Sequence, residues 1–344
     1  MMKLGILTGG SDCQGLNAAI RSVVRSTLVE KDAEIVGFLQ GWKGLVENLF
    51  IPLTMKDVSG ILPIGGTILG TSRANPRKLQ DGFSRIEANL KQNNVDALIV
   101  LGGYDTQGVA LELHKRGFPV VGIPATMDND VGCTDYSIGF FSAVNVVADA
   151  VDKLHSTASS HHRVMILEVM GRYSGWVALY GGIAGGADWI VIPEVQTNLS
   201  DIINHLKNRR KLGKYFSIIV VAEGATMHEI PVADVTEKDE FGHIRLDRRS
   251  VGAKVGAQVE KMTGFETRVT VLGHLQRGGS PAMFDRVLAA RLGYKAVEMV
   301  ANREFGKMAT FAGNRVESES ILRVVKESPK NVSIDLYDIA RIFY

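Results

Sequence analysis

The stretch LGILTGGSDCQGLNAAIRSVVRST, residues 4–27, decides how this chain is read. Leu4 to Thr8 is a short apolar run of the buried-strand type, and it ends in GGSDCQG. From Leu16, apolar residues recur at helical spacing. Leu16, Ile20, Val23, Val24 and Thr27 share one stripe, with Arg21 and Arg25 nearby. Glu34 to Leu39 reads as the next strand. Strand, Gly-rich turn, helix and strand form a parallel crossover unit. The turn is either a tight connection or a cradle in which backbone N–H groups and a helix N-terminus meet a phosphate. It matches neither G-x-x-x-x-G-K-[ST] nor G-x-G-x-x-G, so neither an ordinary P-loop nor a dinucleotide fingerprint is supported.

The same design continues outward. Ala97 to Leu101 reads as a strand ending in Gly102 and Gly103, with a helix from about Thr106. Val120 to Ile123 is a strand that runs into PATMDND. In the second half, Phe141 to His155 reads as a helix. Val164 to Val169, Trp189 to Ile192, Phe216 to Ala222 and Val269 to Leu272 read as strands. The expected fold class is α/β, with mainly parallel sheets covered by helices on both faces. Ligands of such sheets sit beyond the carboxyl ends of the strands, where the Gly- and Asp-rich segments fall. The polar stretch from Thr226 to Arg249, which contains EKDEFGH, reads as a surface excursion or a short hairpin.

The composition narrows the classes of function. The 344 residues suggest roughly two domains, and 45% hydrophobic content is enough for a sizeable core. Lys and Arg number 39 against 37 Asp and Glu, so no global field attracts nucleic acid or an anionic membrane. Any anion site must be local. The two cysteines, Cys13 and Cys133, make neither a disulfide framework nor a zinc pattern. With no visible signal peptide and no apolar run of membrane-spanning length, a cytoplasmic location is expected.

Several segments carry candidate chemistry, each beside a plainer reading. LGGYDT repeats the Gly-rich turn at a second strand end, and two such turns in one sheet favour a shared phosphate crevice. In PATMDND, Asp128 and Asp130 could take a proton from a hydroxyl or hold Mg2+. Spacing alone favours an Asx turn or a helix cap there. His274 and Arg277 in LGHLQRGGSP, Arg268 at the start of that strand and Arg163 in SSHHRV suit a phosphate dianion, although a surface Arg is usually just solvated. Met170 and Arg172 sit at a strand end in EVMGRYSGW, where a Met is ordinarily core.

Taken together, the order TGGSDCQGLNAAIR, GGTILGTSR, GGYDT, PATMDND, TDYSIGF, VMGRYSGW, GHLQRGGSP and FDR resembles the 6-phosphofructokinase family over nearly the whole chain. The resemblance implies two similar three-layer α/β/α domains. Residues 1–139 plus about 276–310 would bind the phosphoryl donor, and about 140–275 plus 311–344 the sugar phosphate. It also implies glycolytic phosphoryl transfer to the 1-hydroxyl of fructose 6-phosphate, with Mg2+. Asp128 would be the base, supported by Thr126 and Asp130. Arg172 and Arg73 would stabilise charge on the transferring group. Met170, Gly171 and Glu223 would contact the sugar, and His274 and Arg277 would hold its 6-phosphate. Arg163 and Arg268 would do so from a neighbouring subunit, so self-association is expected.

The donor side departs from the family pattern. Gly10, Ser11, Asp105, Thr106 and Ala125 are the residues that match donor-binding positions. The family usually has Gly at Ser11, Pro at Gln14 and an acidic Mg2+ ligand at Tyr104, so metal coordination there is thinner or rearranged; the resemblance suggests Asp130 and Asp105 as metal candidates. Asp105 stands where ATP users usually have Gly, and its side chain would crowd and repel an α-phosphate. Pyrophosphate is therefore the expected donor. Ala125 argues the other way, because pyrophosphate users usually have Lys there, so ATP is the alternative donor. Ser11 and Tyr104 also leave open a non-catalytic sugar-phosphate binder. Arg21 and Arg25 match effector-binding arginines of regulated relatives, but His155 and Leu212 replace basic residues, so strong nucleotide activation is not expected.

Overall fold

In β1 (Lys3–Thr8) every residue after Lys3 is buried, as expected of a strand covered on both faces. A computed structural model describes residues 2–30, 33–230, 237–244, 246 and 249–344. The chain continues through α1 (Leu16–Glu30), β2 (Glu34–Phe38), α2 (Trp42–Glu47), β3 (Phe50–Pro52), α3 (Gly82–Gln92), β4 (Ala97–Gly102), α4 (Tyr104–Lys115) and β5 (Val120–Pro124). Then come α5 (Phe140–His161), β6 (Val164–Val169), α6 (Trp176–Gly185), β7 (Trp189–Val191), α7 (Leu199–Lys211), β8 (Ser217–Ala222), α8 (Val251–Thr263) and β9 (Thr267–Val271). The last elements are α9 (Met283–Ala301), β10 (Lys307–Ala312), β11 (Arg315–Ser320), α10 (Ile321–Lys326) and α11 (Ile334–Arg341). The α/β class with mainly parallel sheets is what the structure shows.

The chain forms two compact units, 1–142 with 277–330 and 143–276 with 331–344. The first holds a seven-stranded sheet in the order β11-β10-β5-β4-β1-β2-β3. Only the outermost pairs, β2 with β3 and β10 with β11, are antiparallel. The expected stripe on α1 is buried from Leu16 to Thr27. Ser22, on the other side of that helix, donates from Oγ to the Ala290 carbonyl of α9 at 2.7 Å.

Residues 311–330, expected in the second domain, belong to the first unit. The reason is a hairpin that the sequence reading did not foresee. β10 pairs parallel to β5 (Lys307↔Val121), and β11 pairs along the whole of β10. Ile321 and Val324 of α10 then close a small core with Val131 and Met308. Each such aliphatic side chain contributes roughly 1.5–3 kcal/mol by leaving water.

The second unit holds a four-stranded parallel sheet in the order β7-β8-β6-β9. Ile166, Ile219 and Val221 of the sheet pack with Leu199, Ile202 and Leu206 of α7 and with Val251, Val255 and Val259 of α8. Of the Thr226 to Arg249 stretch, residues 231–236, 245 and 247–248 lie outside the described residues. Its described part includes antiparallel bridges at Met227↔Ile230 and Lys238↔Ile244, so the hairpin alternative holds for residues 238–244. Among the described residues no helix is long and apolar enough to cross a membrane.

Candidate active site

In the first unit, β1 and β4 are neighbours, yet the chain leaves them toward opposite edges of the sheet. Such a reversal opens a crevice beyond the strands' carboxyl ends. The turns there grip one another through backbone. The Gly9 N–H donates to the Leu101 carbonyl at 2.9 Å, and the Gly10 N–H to that of Ser72 at 3.3 Å. Thr71 Oγ1 donates back to the Gly10 carbonyl at 2.7 Å. Gly10 has φ +85°, a left-handed conformation that a side chain disfavours. Arg73 is exposed on this same loop. Thr106 and Ala125 are buried, while Ser11 and Asp105 are half-buried. Asp105 lies in the first turn of α4, where the helix dipole favours an anion.

The DND triplet after β5 divides its labour. Asn129 is fully buried at φ +52°, accepts the Ser137 N–H at 3.0 Å and donates to the Asp135 carbonyl at 3.1 Å. These bonds span six and eight residues, so Asn129 braces the loop, whereas the turn of two-residue span is made by Thr126 Oγ1. Asp128 stays half-buried, with its N–H on Thr126 Oγ1 at 3.2 Å. Asp130 is buried, and its carbonyl accepts the Lys330 N–H at 2.7 Å. The Lys330 ammonium holds the carbonyls of Thr134 and Asp135 at 2.7 and 2.9 Å. Burial pushes this lysine down to about 8, against the pull of Asp135 and Asp130.

The two ends of the GHLQRGGSP segment sit differently. His274 is exposed, whereas Arg277 is buried in the first unit with Nη1 3.8 Å from Asp12 Oδ1. Gln14 donates from Nε2 to the Gly278 carbonyl at 2.7 Å, which gives the unusual Gln a bracing role. Asp285 of FDR accepts the Ser142 N–H at 2.7 Å in the first turn of α5.

In the second unit, Met170, Gly171 and Arg172 follow β6, Glu223 follows β8 and His274 follows β9. All lie beyond the carboxyl ends of hydrogen-bonded strands. Here side chains hold the backbone. Glu223 Oε1 accepts the Arg172 N–H at 3.2 Å, and Gln276 Oε1 accepts that of Met170 at 3.2 Å. Arg172 has φ +48°. A Cβ on Gly224 would stand 1.8 Å from its carbonyl oxygen, so only glycine fits there.

Arg163 and Arg268 lie at the other end of the same sheet. Arg163 precedes β6 and Arg268 pairs with Met165 at its start. Six residues of strand separate Arg163 from the Met170 turn, a span of about 20 Å. Glu266 ties the two arginines together, 2.8 Å from Arg163 and in contact with Arg268. The hydrogen bond from Arg163 chiefly holds the Glu266 carboxyl below its ordinary range. The sequence reading missed Gln276, Lys330 and Glu266. Glu266 had a faint signal, as an acidic residue two positions before a named Arg.

A two-unit α/β protein with Gly- and Asp-rich turns beyond its strand ends belongs to the broad class of α/β proteins that hold ligands at those ends. The phosphofructokinase family matches residues 3–300, and the chain belongs to that family. It is 46% identical over 348 residues to a pyrophosphate–fructose 6-phosphate 1-phosphotransferase of Streptomyces coelicolor, covering 100% of both chains. It is 43% identical over 350 residues to an ATP-dependent 6-phosphofructokinase of Mycobacterium leprae, again covering 100% of both. Its fold matches the crystal structure of a pyrophosphate-dependent phosphofructokinase from Marinobacter aquaeolei with a TM-score of 0.83. That match has 21% identity and covers 97% and 86% of the two chains.

Proposed function

We propose that this chain transfers a phosphoryl group from pyrophosphate to the 1-hydroxyl of fructose 6-phosphate, reversibly, giving fructose 1,6-bisphosphate. The observation that carries the reading is Asp128. It is a half-buried carboxylate at a strand end, on a loop braced by Asn129. A carboxylate so placed can accept the hydroxyl proton during an in-line displacement. Thr126 orients the Asp128 backbone. Arg172 and Arg73 stabilise charge on the transferring group. Met170, Gly171, Glu223 and His274 serve the sugar phosphate. Arg277 is the further candidate for the 6-phosphate.

Asp105 supports pyrophosphate as donor. It occupies the helix N-terminus that a nucleotide's α-phosphate would need, and like charges there repel. The methyl group of Ala125 favours the ATP reading only by withholding a cation. Asp105 fits Mg2+, since it is a half-buried carboxylate just beyond β4 and a hard cation takes oxygen donors. When bound with pyrophosphate, Mg2+ would neutralise its charge. Asp130 fits the metal poorly, because it is buried with the Lys330 ammonium facing it.

Arg163 and Arg268 would serve a second copy of the chain. A reducing, cytoplasmic setting suits the two free cysteines. The test is turnover of fructose 6-phosphate with each donor. Pyrophosphate should support it and ATP should not, and Asp105→Gly should admit ATP. Turnover of the wild-type protein with ATP alone would sink the donor reading.

A further inference from the structure

The hairpin at 238–244 is attached to the turn that carries Arg172. Asp239 forms the bend, with Oδ1 accepting the N–H groups of Phe241 and His243 at 2.9 and 3.0 Å. Its other oxygen, Oδ2, lies 3.5 Å from Arg172 Nη2. The Asp239 side chain is only 9% exposed and that of Arg172 is 22% exposed. A second tie runs from the Ile244 N–H to Tyr173 Oη at 3.1 Å, with the Tyr173 and His243 rings 5.7 Å apart. Burial raises the Asp239 carboxyl, but the two N–H groups and Arg172 outweigh it and leave it below its ordinary range. The carboxylate is thus charged at neutral pH, next to an arginine assigned to phosphoryl charge.

We infer that Asp239 is a specificity-determining counter-ion, which parks Arg172 and yields it only to a multiply charged phosphoryl group. The reasoning is electrostatic. A carboxylate and a phosphoryl oxygen cannot both sit on one guanidinium edge without repulsion. At 3.5 Å, the Arg172–Asp239 ion pair is longer than a charge-assisted hydrogen bond. A bidentate pair with phosphate is stronger. A dianion therefore displaces Asp239, while a weakly charged ligand does not. The inference rests on the reading that Arg172 meets the transferring group.

Asp239→Asn separates the charge from the fold. An amide oxygen keeps accepting from Phe241 and His243, so the bend survives. The full-length variant should show a kcat/KM for pyrophosphate raised about two- to fivefold, the worth of a partly exposed pair. Inorganic pyrophosphate measured by calorimetry should bind tighter by a similar factor. A purely structural Asp239 would leave the Asn variant like wild type and damage only Asp239→Ala. An unchanged or lowered kcat/KM in Asp239→Asn overturns the inference. So does an increase that persists when Arg172 is already Ala. If Arg172→Ala alone leaves turnover intact, the assignment of Arg172 has failed, and that outcome is distinct from the others.

Discussion

The two units present their strand ends by different means. In the first, backbone braces backbone: Gly9 on Leu101, Gly10 on Ser72, and a buried Asn129 shaping its own loop. None of these bonds runs through the carboxylate of Asp105 or Asp128. In the second, charged and amide side chains do the holding. Glu223 takes the Arg172 N–H, Asp239 takes its guanidinium, Gln276 takes the Met170 N–H and Glu266 takes two arginines. Substitutions in the first unit should therefore change chemistry while leaving structure alone. Substitutions in the second should be coupled to their partners and non-additive.

The largest expected effect tests the first half of that contrast. Asp128→Ser should lower kcat about 10²–10⁴-fold, the usual worth of a general base. Its melting temperature should stay near that of wild type, because Asn129 braces the loop. Steady-state rates and thermal unfolding on one preparation check both. A variant that keeps its rate, or one that loses rate by unfolding, would break the comparison.

Lys330 adds a charged side-chain brace to the first unit, since its ammonium holds the loop at Thr134 and Asp135 from behind. An unfolded lysine keeps its proton to about pH 10.4. The folded Lys330 releases it near 8. Between those values the unfolded chain binds more protons, so stability rises with pH. The full window is worth about 3 kcal/mol. Urea unfolding from pH 8 to 10 should show that slope in wild type and a weaker one in Lys330→Met. Equal slopes would mean that the lysine is less buried than its surroundings indicate.

Much of the frame was legible before the structure. Apolar runs ending in glycine marked β1 and β4, and one running into PATMDND marked β5, because buried parallel strands have no polar face to disguise them. The edge strand β11 was not legible. Its RVESES alternates without an apolar face, and its pairing with β10 depends on residues no local pattern reveals. Among candidate residues, those on strand ends were readable from the turns that follow them. Asp239 was not. It appeared within a polar run, and only the fold-back of that run brings it 3.5 Å from Arg172.

The smallest effect tests the second unit, through the two ends of its sheet. Arg163 lies at the amino end of β6 and Arg172 beyond its carboxyl end, about 20 Å apart. One chain cannot bring both to a single sugar phosphate unless the strand itself is broken. If both act, Arg163 acts on another copy. Arg163→Ala should then raise the KM for fructose 6-phosphate about 10-fold and spare kcat, the scale of a hydrogen bond to a charged group. The decisive measurement mixes subunits. Asp128→Ser and Arg163→Ala chains, refolded together, place both defects in some sites and leave others whole. Activity at low substrate should exceed the sum of the two parents. A mixture that merely equals that sum would return Arg163 to a surface ion pair with Glu266 and confine the site to one chain.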